Sequence, residues 1–241
     1  MFAGPNGSGK STLYWQLVEK GLFHNTIFIN ADEIERTLNQ GSEVRLDFIK
    51  PERFLFHISQ SGFIGEKILP SAISSLSVKA GLAISLKPGF VCAEHLSAAI
   101  AEALRLCLIE GAQSFAFETV MSHSSKIDLL RDAKQLGYRT YLYFVTTGDP
   151  SLNVDRVCQR VANGGHGVSE EKTLSRYPKT MKLLPQALQL CDRAYLFDSS
   201  SDSIRLVASI SEGRNVRLES DSIPEWLLET MRSMGLDIEK E

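Results

Sequence analysis

Lys10 and Ser11 close the stretch Gly4-Pro5-Asn6-Gly7-Ser8-Gly9-Lys10-Ser11, which satisfies the pattern G-x-x-x-x-G-K-[ST] at every fixed position. Its three glycines let the backbone fold back without Cβ clashes. Successive N–H groups can then converge on a phosphate at the positive end of the following helix. In that arrangement Lys10 reaches the β- and γ-phosphate oxygens. The Ser11 hydroxyl completes the shell of a Mg2+ ion that keeps most of its waters. Thr12 would sit nearer the base or the α-phosphate. The expected nucleotide-binding residues are therefore Gly4, Pro5, Asn6, Gly7, Ser8, Gly9, Lys10, Ser11 and Thr12, with Ser11 as the metal contact. A Gly/Ser-rich turn before a helix would share the glycines, but it would not need the lysine and the hydroxyl in register.

Phosphoryl transfer also needs cations around the spreading charge and a group that takes the acceptor's proton. Asp32 is the candidate carboxylate for orienting and deprotonating an acceptor hydroxyl; a helix N-cap is its other reading. Glu118 suits substrate hydroxyls or a metal held through water, with Thr119 as a neighbouring donor, or it is a strand-end carboxylate in solvent. The residues alone do not separate these tasks. Arg156, Arg160 and Arg176 flank the glycine-rich run Asn163-Gly164-Gly165-His166-Gly167. A cap carrying arginines would stabilise transition-state charge and exclude water. His166 is a candidate phosphate or substrate contact, or an ordinary exposed loop histidine.

The elements that must position these residues alternate between two periods. Leu13, Tyr14, Leu17 and Val18 form a helical face ending at Gly21, and Thr26-Ile27-Phe28-Ile29 is a short strand leading into a helix where Asp32 and Glu35 are spaced as a capping pair. A helix through Leu96, Ile100, Leu104 and Leu108 stops at Gly111. Then Ser114–Thr119 reads as a strand with Glu118 at its exit. A helix with Ile127, Leu130 and Ala133 precedes Thr140–Val145, an apolar strand without alternation and so buried on both faces. After Asp149-Pro150, Val154, Val157, Cys158 and Val161 are expected to face inward, opposite Arg156 and Arg160. Ser169 with Glu170 and Glu171 starts a further helix that Pro178 or Pro185 should bend or restart. Ala194–Asp198 is another strand, 204–210 and 216–218 form an edge hairpin, and a helix follows Pro224.

Strands alternating with helices predict an α/β phosphate-loop NTPase or kinase fold: a mostly parallel sheet of five or so strands with helices on both faces. The expected organisation is one domain over 1–241, with a helical insertion at about 41–91 and a C-terminal hairpin and helix at about 199–241. Within the insertion, Phe54, Phe56, Phe63 and Ile68 line either a pocket or plain core. Only Met1-Phe2-Ala3 precede Gly4, so the first strand is expected to be very short or to lack its beginning. In a parallel sheet ligands collect at the carboxyl ends of strands, which groups Lys10, Asp32, Glu118 and Thr119 in one expected site.

Composition narrows the class. The formal net charge is −3 without a basic run, which argues against a sequence-independent grip on nucleic acid or an anionic membrane. Cys92, Cys107, Cys158 and Cys191 have no C-x-x-C spacing and read as reduced cysteines, favouring the cytoplasm. The longest apolar run, Ile73–Leu86, is interrupted by Ser, Lys and Gly, and no signal peptide is recognisable.

The phosphate loop, Phe28-Ile29-Asn30-Ala31-Asp32, Phe115-Ala116-Phe117-Glu118-Thr119, Gly164-Gly165-His166-Gly167-Val168 with Arg176-Tyr177, and Asp198-Ser199 together resemble the zeta toxin family of phosphate-loop kinases. The resemblance covers most of the chain outside the insertion. It implies an ATP- or GTP-dependent, Mg2+-dependent kinase; the best-known members phosphorylate UDP-N-acetylglucosamine on a sugar hydroxyl. It implies Lys10 and Ser11 for nucleotide and magnesium, Asp32 as base, Glu118 and Thr119 for the acceptor, and arginines near Arg156 or Arg160 and near Arg176 on the phosphates. An antitoxin-like inhibitory protein is an implied partner. The segment between Asp32 and Glu118 is longer than in the toxins, which leaves the small-molecule acceptor open. Two other readings of the same residues are a nucleotide-hydrolysing switch acting on a macromolecule and a polynucleotide 5′-kinase, the latter expected to need a basic, aromatic groove near Asp32.

Overall fold

A computed structural model of the chain describes residues 1–62, 70–165 and 167–236. In chain order the first elements are β1 (Phe2–Ala3), α1 (Lys10–Glu19), β2 (Ile27–Ile29), α2 (Ala31–Asn39), β3 (Val44–Arg45) and α3 (Pro51–Ser59). Then come α4 (Pro70–Ile73), β4 (Leu76–Lys79), β5 (Ala83–Leu86), α5 (Glu94–Glu110), β6 (Phe115–Thr119) and α6 (Ser125–Gln135). The last are β7 (Tyr141–Thr146), α7 (Pro150–Ala162), α8 (Glu170–Leu190), β8 (Arg193–Asp198), β9 (Arg205–Ser211), β10 (Asn215–Leu218) and α9 (Glu225–Ser233). The chain divides into two compact units, Met1–His24 with Glu118–Glu241, and Asn25–Phe117.

In the first unit β1 lies between β7 and the end of β6, parallel to each, with Phe2 opposite Glu118 and Tyr143. β8 runs parallel to β7, and the β9–β10 hairpin adds antiparallel strands at the edge. Phe2 is fully buried in β1, stacked on Tyr143 at 4.8 Å and edge-on to Tyr14 at 5.2 Å. One such side chain contributes about 1.5–3 kcal/mol. Helix α8 packs on α6, α7 and α9. Asp198, at the end of β8, accepts from the indole Nε1 of Trp226 at 3.0 Å and so ties α9 to the sheet.

In the second unit β2 runs parallel to the first three residues of β6, Ile27 to Ile29 opposite Phe115 to Phe117. Helix α5 packs against α2, α3 and β2. Within the first unit β1, β7, β8 and the end of β6 run parallel, and within the second β2 and the start of β6 do, so the expected mostly parallel α/β fold is what the chain adopts.

Several local expectations need correction. Residues 41–91 were expected to be helical, yet they also hold an antiparallel sheet in the order β3-β5-β4, in which Leu76 to Lys79 lie opposite Leu86 to Ala83. Phe54 is core at 0% exposure whereas Phe56 is 51% exposed; Phe63 and Ile68 lie outside the described residues. Helix α2 is capped by the Asn30 side chain, which accepts from the Asp32 N–H at 2.9 Å, so Asp32 and Glu35 are not its capping pair. Pro178 and Pro185 do not restart α8; both lie within it. Helix α7 turns Asn153 and Val157 inward and leaves Cys158 and Val161 exposed, because Asn153 is drawn into polar contacts beside the phosphate loop.

Candidate active site

The phosphate loop of the first unit runs over residues 4–9 between β1 and α1 and continues into the first residues of α1, Lys10 and Ser11. Gly4 takes φ 146°, and a Cβ there would lie 1.9 Å from the Val145 carbonyl oxygen. Gly7 takes φ 74°, and a Cβ there would lie 2.4 Å from the Asn153 carbonyl oxygen. Only glycine fits either position. The loop is thus pressed directly on the end of β7 and the start of α7.

Lys10 is 7% exposed; its Nζ donates to the Pro5 carbonyl at 2.8 Å and stands 3.9 Å from Glu118 Oε1. Ser11, at the start of α1, donates its hydroxyl to Glu118 Oε2 at 2.7 Å. Glu118, with its side chain 12% exposed, is therefore engaged by the loop and is not a strand-end carboxylate in solvent. Two buried polar atoms of the loop, Asn6 Oδ1 and Ser8 Oγ, have no hydrogen-bond partner among the described residues. An unmet buried acceptor costs about 1–3 kcal/mol, so such atoms mark a place where a polar ligand completes the structure. Glycine backbone, one lysine, one hydroxyl and one carboxylate fit a Mg2+–nucleotide, because Mg2+ is held mainly by substrate phosphates, water and one or two hard oxygen ligands.

The other expected residues fall as follows. Thr12 is exposed on the first turn of α1. Thr119 Oγ1 accepts from the Met121 N–H at 3.0 Å, so this hydroxyl shapes the turn after β6. Arg156 reaches the loop after β8, with Nη1 3.3 Å from Ser199 Oγ and Nη2 3.1 Å from the Ser201 carbonyl. Arg160 is exposed in the last turn of α7, and Arg176 is half-buried in α8. His166 lies outside the described residues. Asp32 belongs to the second unit, exposed in the first turn of α2 just beyond the carboxyl end of β2.

Three residues around the loop, Asn153, Thr147 and Ser199, were given no site role from the sequence. Asn153 donates Nδ2 to the Asn6 carbonyl at 2.6 Å, and its Oδ1 accepts from the Thr147 hydroxyl. Ser199 donates to the Ser8 carbonyl at 2.8 Å. A detectable signal existed for one of them: Asn153 stands four residues before Val157, a polar residue on the inward stripe of α7.

No family model and no curated protein matches the chain. Among solved structures, the chain is similar to AvrRxo1-ORF1:-ORF2 with ATP, with a TM-score of 0.56 and 16% identity over 98% of this chain and 63% of that one. The same complex with sulphate ions gives a TM-score of 0.54 at 16% identity and the same coverage. A structure from the PezAT chromosomal toxin-antitoxin system of Streptococcus pneumoniae gives 0.50 at 14% identity, over 95% of this chain and 77% of that one. The chain spans less than two thirds of the length of the AvrRxo1 chain it matches. At this identity the likeness is one of fold. The chain therefore shares the fold of these structures, with its own phosphate loop set between a parallel strand and the first helix.

Proposed function

We propose that this protein is an ATP-dependent phosphotransferase that moves the γ-phosphoryl group to a hydroxyl of a small molecule. The observation that carries this reading is the loop of residues 4–11, with Lys10 and Ser11 drawn against Glu118 and two buried polar atoms unmet. That a structure of like fold is described with ATP supports the choice of nucleotide.

In this reading the Gly7 and Gly9 region of the loop and the N-terminus of α1 bind the phosphates. Lys10, an ammonium with three donors, turns from the Pro5 carbonyl to the β- and γ-oxygens. Ser11 and Glu118 are the residues that would hold Mg2+ beside the phosphates. When bound, that ion neutralises phosphate charge and orients the leaving group. Arg156, Arg160 and Arg176 supply further positive charge, and Thr119 and His166 help to hold the acceptor. Asp32, on an exposed first turn after a parallel strand, orients the acceptor hydroxyl and takes its proton. A nucleotide sugar is the first acceptor class to try. The AvrRxo1 and PezAT structures are described as complexes or as a toxin-antitoxin system, which supports an inhibitory protein partner for this chain as well.

The test is a metabolite screen for ATP-dependent phosphate transfer, UDP-N-acetylglucosamine and a 5′-hydroxyl oligonucleotide included. Transfer to one small-molecule acceptor is expected, abolished in Asp32→Asn with nucleotide binding kept, and lost together with binding in Lys10→Ala. Unchanged turnover in Asp32→Asn would contradict the role given to that carboxylate.

A further inference from the structure

A planar trans peptide points its C=O and its N–H in opposite directions, so fixing one carbonyl aims the next residue's N–H. Around the phosphate loop the carbonyls are fixed one after another. Pro5 O accepts from Lys10 Nζ at 2.8 Å and from the Ser8 N–H at 3.3 Å. Asn6 O accepts from Asn153 Nδ2 at 2.6 Å, and Ser8 O accepts from Ser199 Oγ at 2.8 Å. The two last contacts direct the Gly7 and Gly9 N–H groups away from Asn153 and Ser199. Neither N–H has an acceptor among the described residues.

Asn153 is fully buried, on the first turns of α7. Its amide has one workable orientation: the Asn6 carbonyl can only accept, so Nδ2 must face it, and Oδ1 then faces the Thr147 hydroxyl, whose proton it shares with the Asp149 carbonyl at 2.8 Å. Thr147 is fixed in turn, its carbonyl accepting from the Tyr177 hydroxyl of α8 at 2.6 Å. Arg156, one turn along α7, donates to Ser199 Oγ at 3.3 Å and leaves the serine proton for Ser8. Helix α7 therefore touches the loop at two carbonyls, directly through Asn153 and by way of Ser199.

We propose that Asn153 is a positioning residue for nucleotide binding. It holds the Asn6–Gly7 peptide so that the Gly7 N–H is presented to the phosphates before ligand arrives, with Thr147 setting the amide's orientation. This rests on the reading of residues 4–11 as a nucleotide phosphate site and adds to it a residue outside the loop. A preset donor costs no reorganisation on binding, which is where its contribution to affinity arises.

The test is calorimetric titration of the intact chain with Mg2+–ATP and with ADP. Asn153→Ala is expected to weaken both by about tenfold. Thr147→Val, which keeps shape but frees the amide to rotate, is expected to weaken both by a smaller factor. Asn153→Asp keeps the acceptor for Thr147 but turns the donor into a second acceptor facing Asn6 O. Burial at this site, with the Asn6 carbonyl opposite, raises the introduced carboxyl above the ordinary aspartate range, so its affinity relative to the unaltered chain should recover as pH falls from about 8 to about 5. The same ratio for Asn153→Ala should stay flat, a contrast that a merely structural role would not produce. If Asn153→Ala does not fold, Thr147→Val decides. Unaltered ATP affinity in the folded variants, with the parent chain binding ATP, would overturn the positioning role alone. Failure of the parent chain to bind ATP would overturn the phosphate-site reading and this role with it.

Discussion

Ser11 donates its hydroxyl proton to Glu118 Oε2 at 2.7 Å, joining the first helix to the end of β6 across 107 residues of sequence. An ionised carboxylate only accepts, so this contact leaves the Ser11 oxygen lone pairs facing outward, available to a hard cation. Replacing the carboxylate by an amide of the same shape keeps the packing and removes the charge. Glu118→Gln is expected to raise the magnesium concentration needed for nucleotide binding about 10- to 100-fold. Nucleotide affinity measured in chelator should change little. An unchanged magnesium midpoint would remove Glu118 from the metal site.

The seat of the loop on β7 gives a stability prediction. In Gly4→Ala the new methyl group would stand 1.9 Å from a buried backbone oxygen at φ 146°. At Gly164, φ is 80° but nothing lies within 4 Å, so Gly164→Ala carries the conformational cost without the clash. Gly4→Ala should therefore be destabilised by about 3 kcal/mol, lowering the thermal midpoint by roughly 6–12 °C. Gly164→Ala should lose about 1 kcal/mol. Equal losses in the two variants would mean that the loop is not pressed on Val145.

Thiol reactivity separates the four cysteines. Cys92, Cys107 and Cys191 are buried, and desolvation of the thiolate pushes them up to about 12, about 11 and about 12. Cys158 is exposed on α7. Because the thiolate is the reactive form, iodoacetamide at neutral pH is expected to label Cys158 in the folded chain. The other three should react only after unfolding, as peptide mass spectrometry would read directly. Early labelling of Cys107 or Cys191 would contradict the packing of α5 or of the α8–β8 junction.

The difference between Cys158 and its neighbours also shows what the sequence could and could not convey. Strands such as Tyr141–Thr146 and helices such as Glu94–Glu110 are legible because burial imposes a single period on many residues at once. The phosphate loop is legible because each of its fixed positions answers to a separate steric or chemical demand. On α7 the apolar residues suggested a stripe through Val154, Cys158 and Val161. A single amide, Asn153, rotates the face instead, since a buried polar group must be paired and its partner, the Asn6 carbonyl, is 147 residues away. Glu118 stood between two tasks for the same reason: which oxygen meets which hydroxyl depends on strand order, and Phe2 opposite Glu118 is a pairing that no local pattern encodes. The strands of 41–91 were missed because short, half-buried segments carry too few residues to display alternation.

An ion-pair group on α3 and α5 gives a pH dependence with a definite sign. Glu110 accepts from Arg53 Nε at 2.9 Å and from Arg53 Nη2, and His57 Nε2 stands 3.0 Å from Oε1. The Arg53 guanidinium first, and His57 after it, hold the Glu110 carboxyl down to about 2 against a smaller opposing effect of burial. The unfolded chain, with an ordinary glutamate value of about 4.3, binds more protons than the folded one in this range, so the contribution is complete above that value. It is lost as pH falls through about 2. Arg53 also lies over the Phe56 ring, 5.0 Å from its centroid, so Arg53→Met keeps an apolar stem while removing the charge. The side chains are 49% and 39% exposed, which keeps the effect small and screened by salt. Arg53→Met is thus expected to be slightly less stable than the parent at neutral pH, with the difference shrinking in high salt and vanishing near pH 2. Denaturant midpoints of parent and variant across that range measure it. A difference that persists unchanged into acid would assign the effect of Arg53 to its packing on Phe56 and not to its charge.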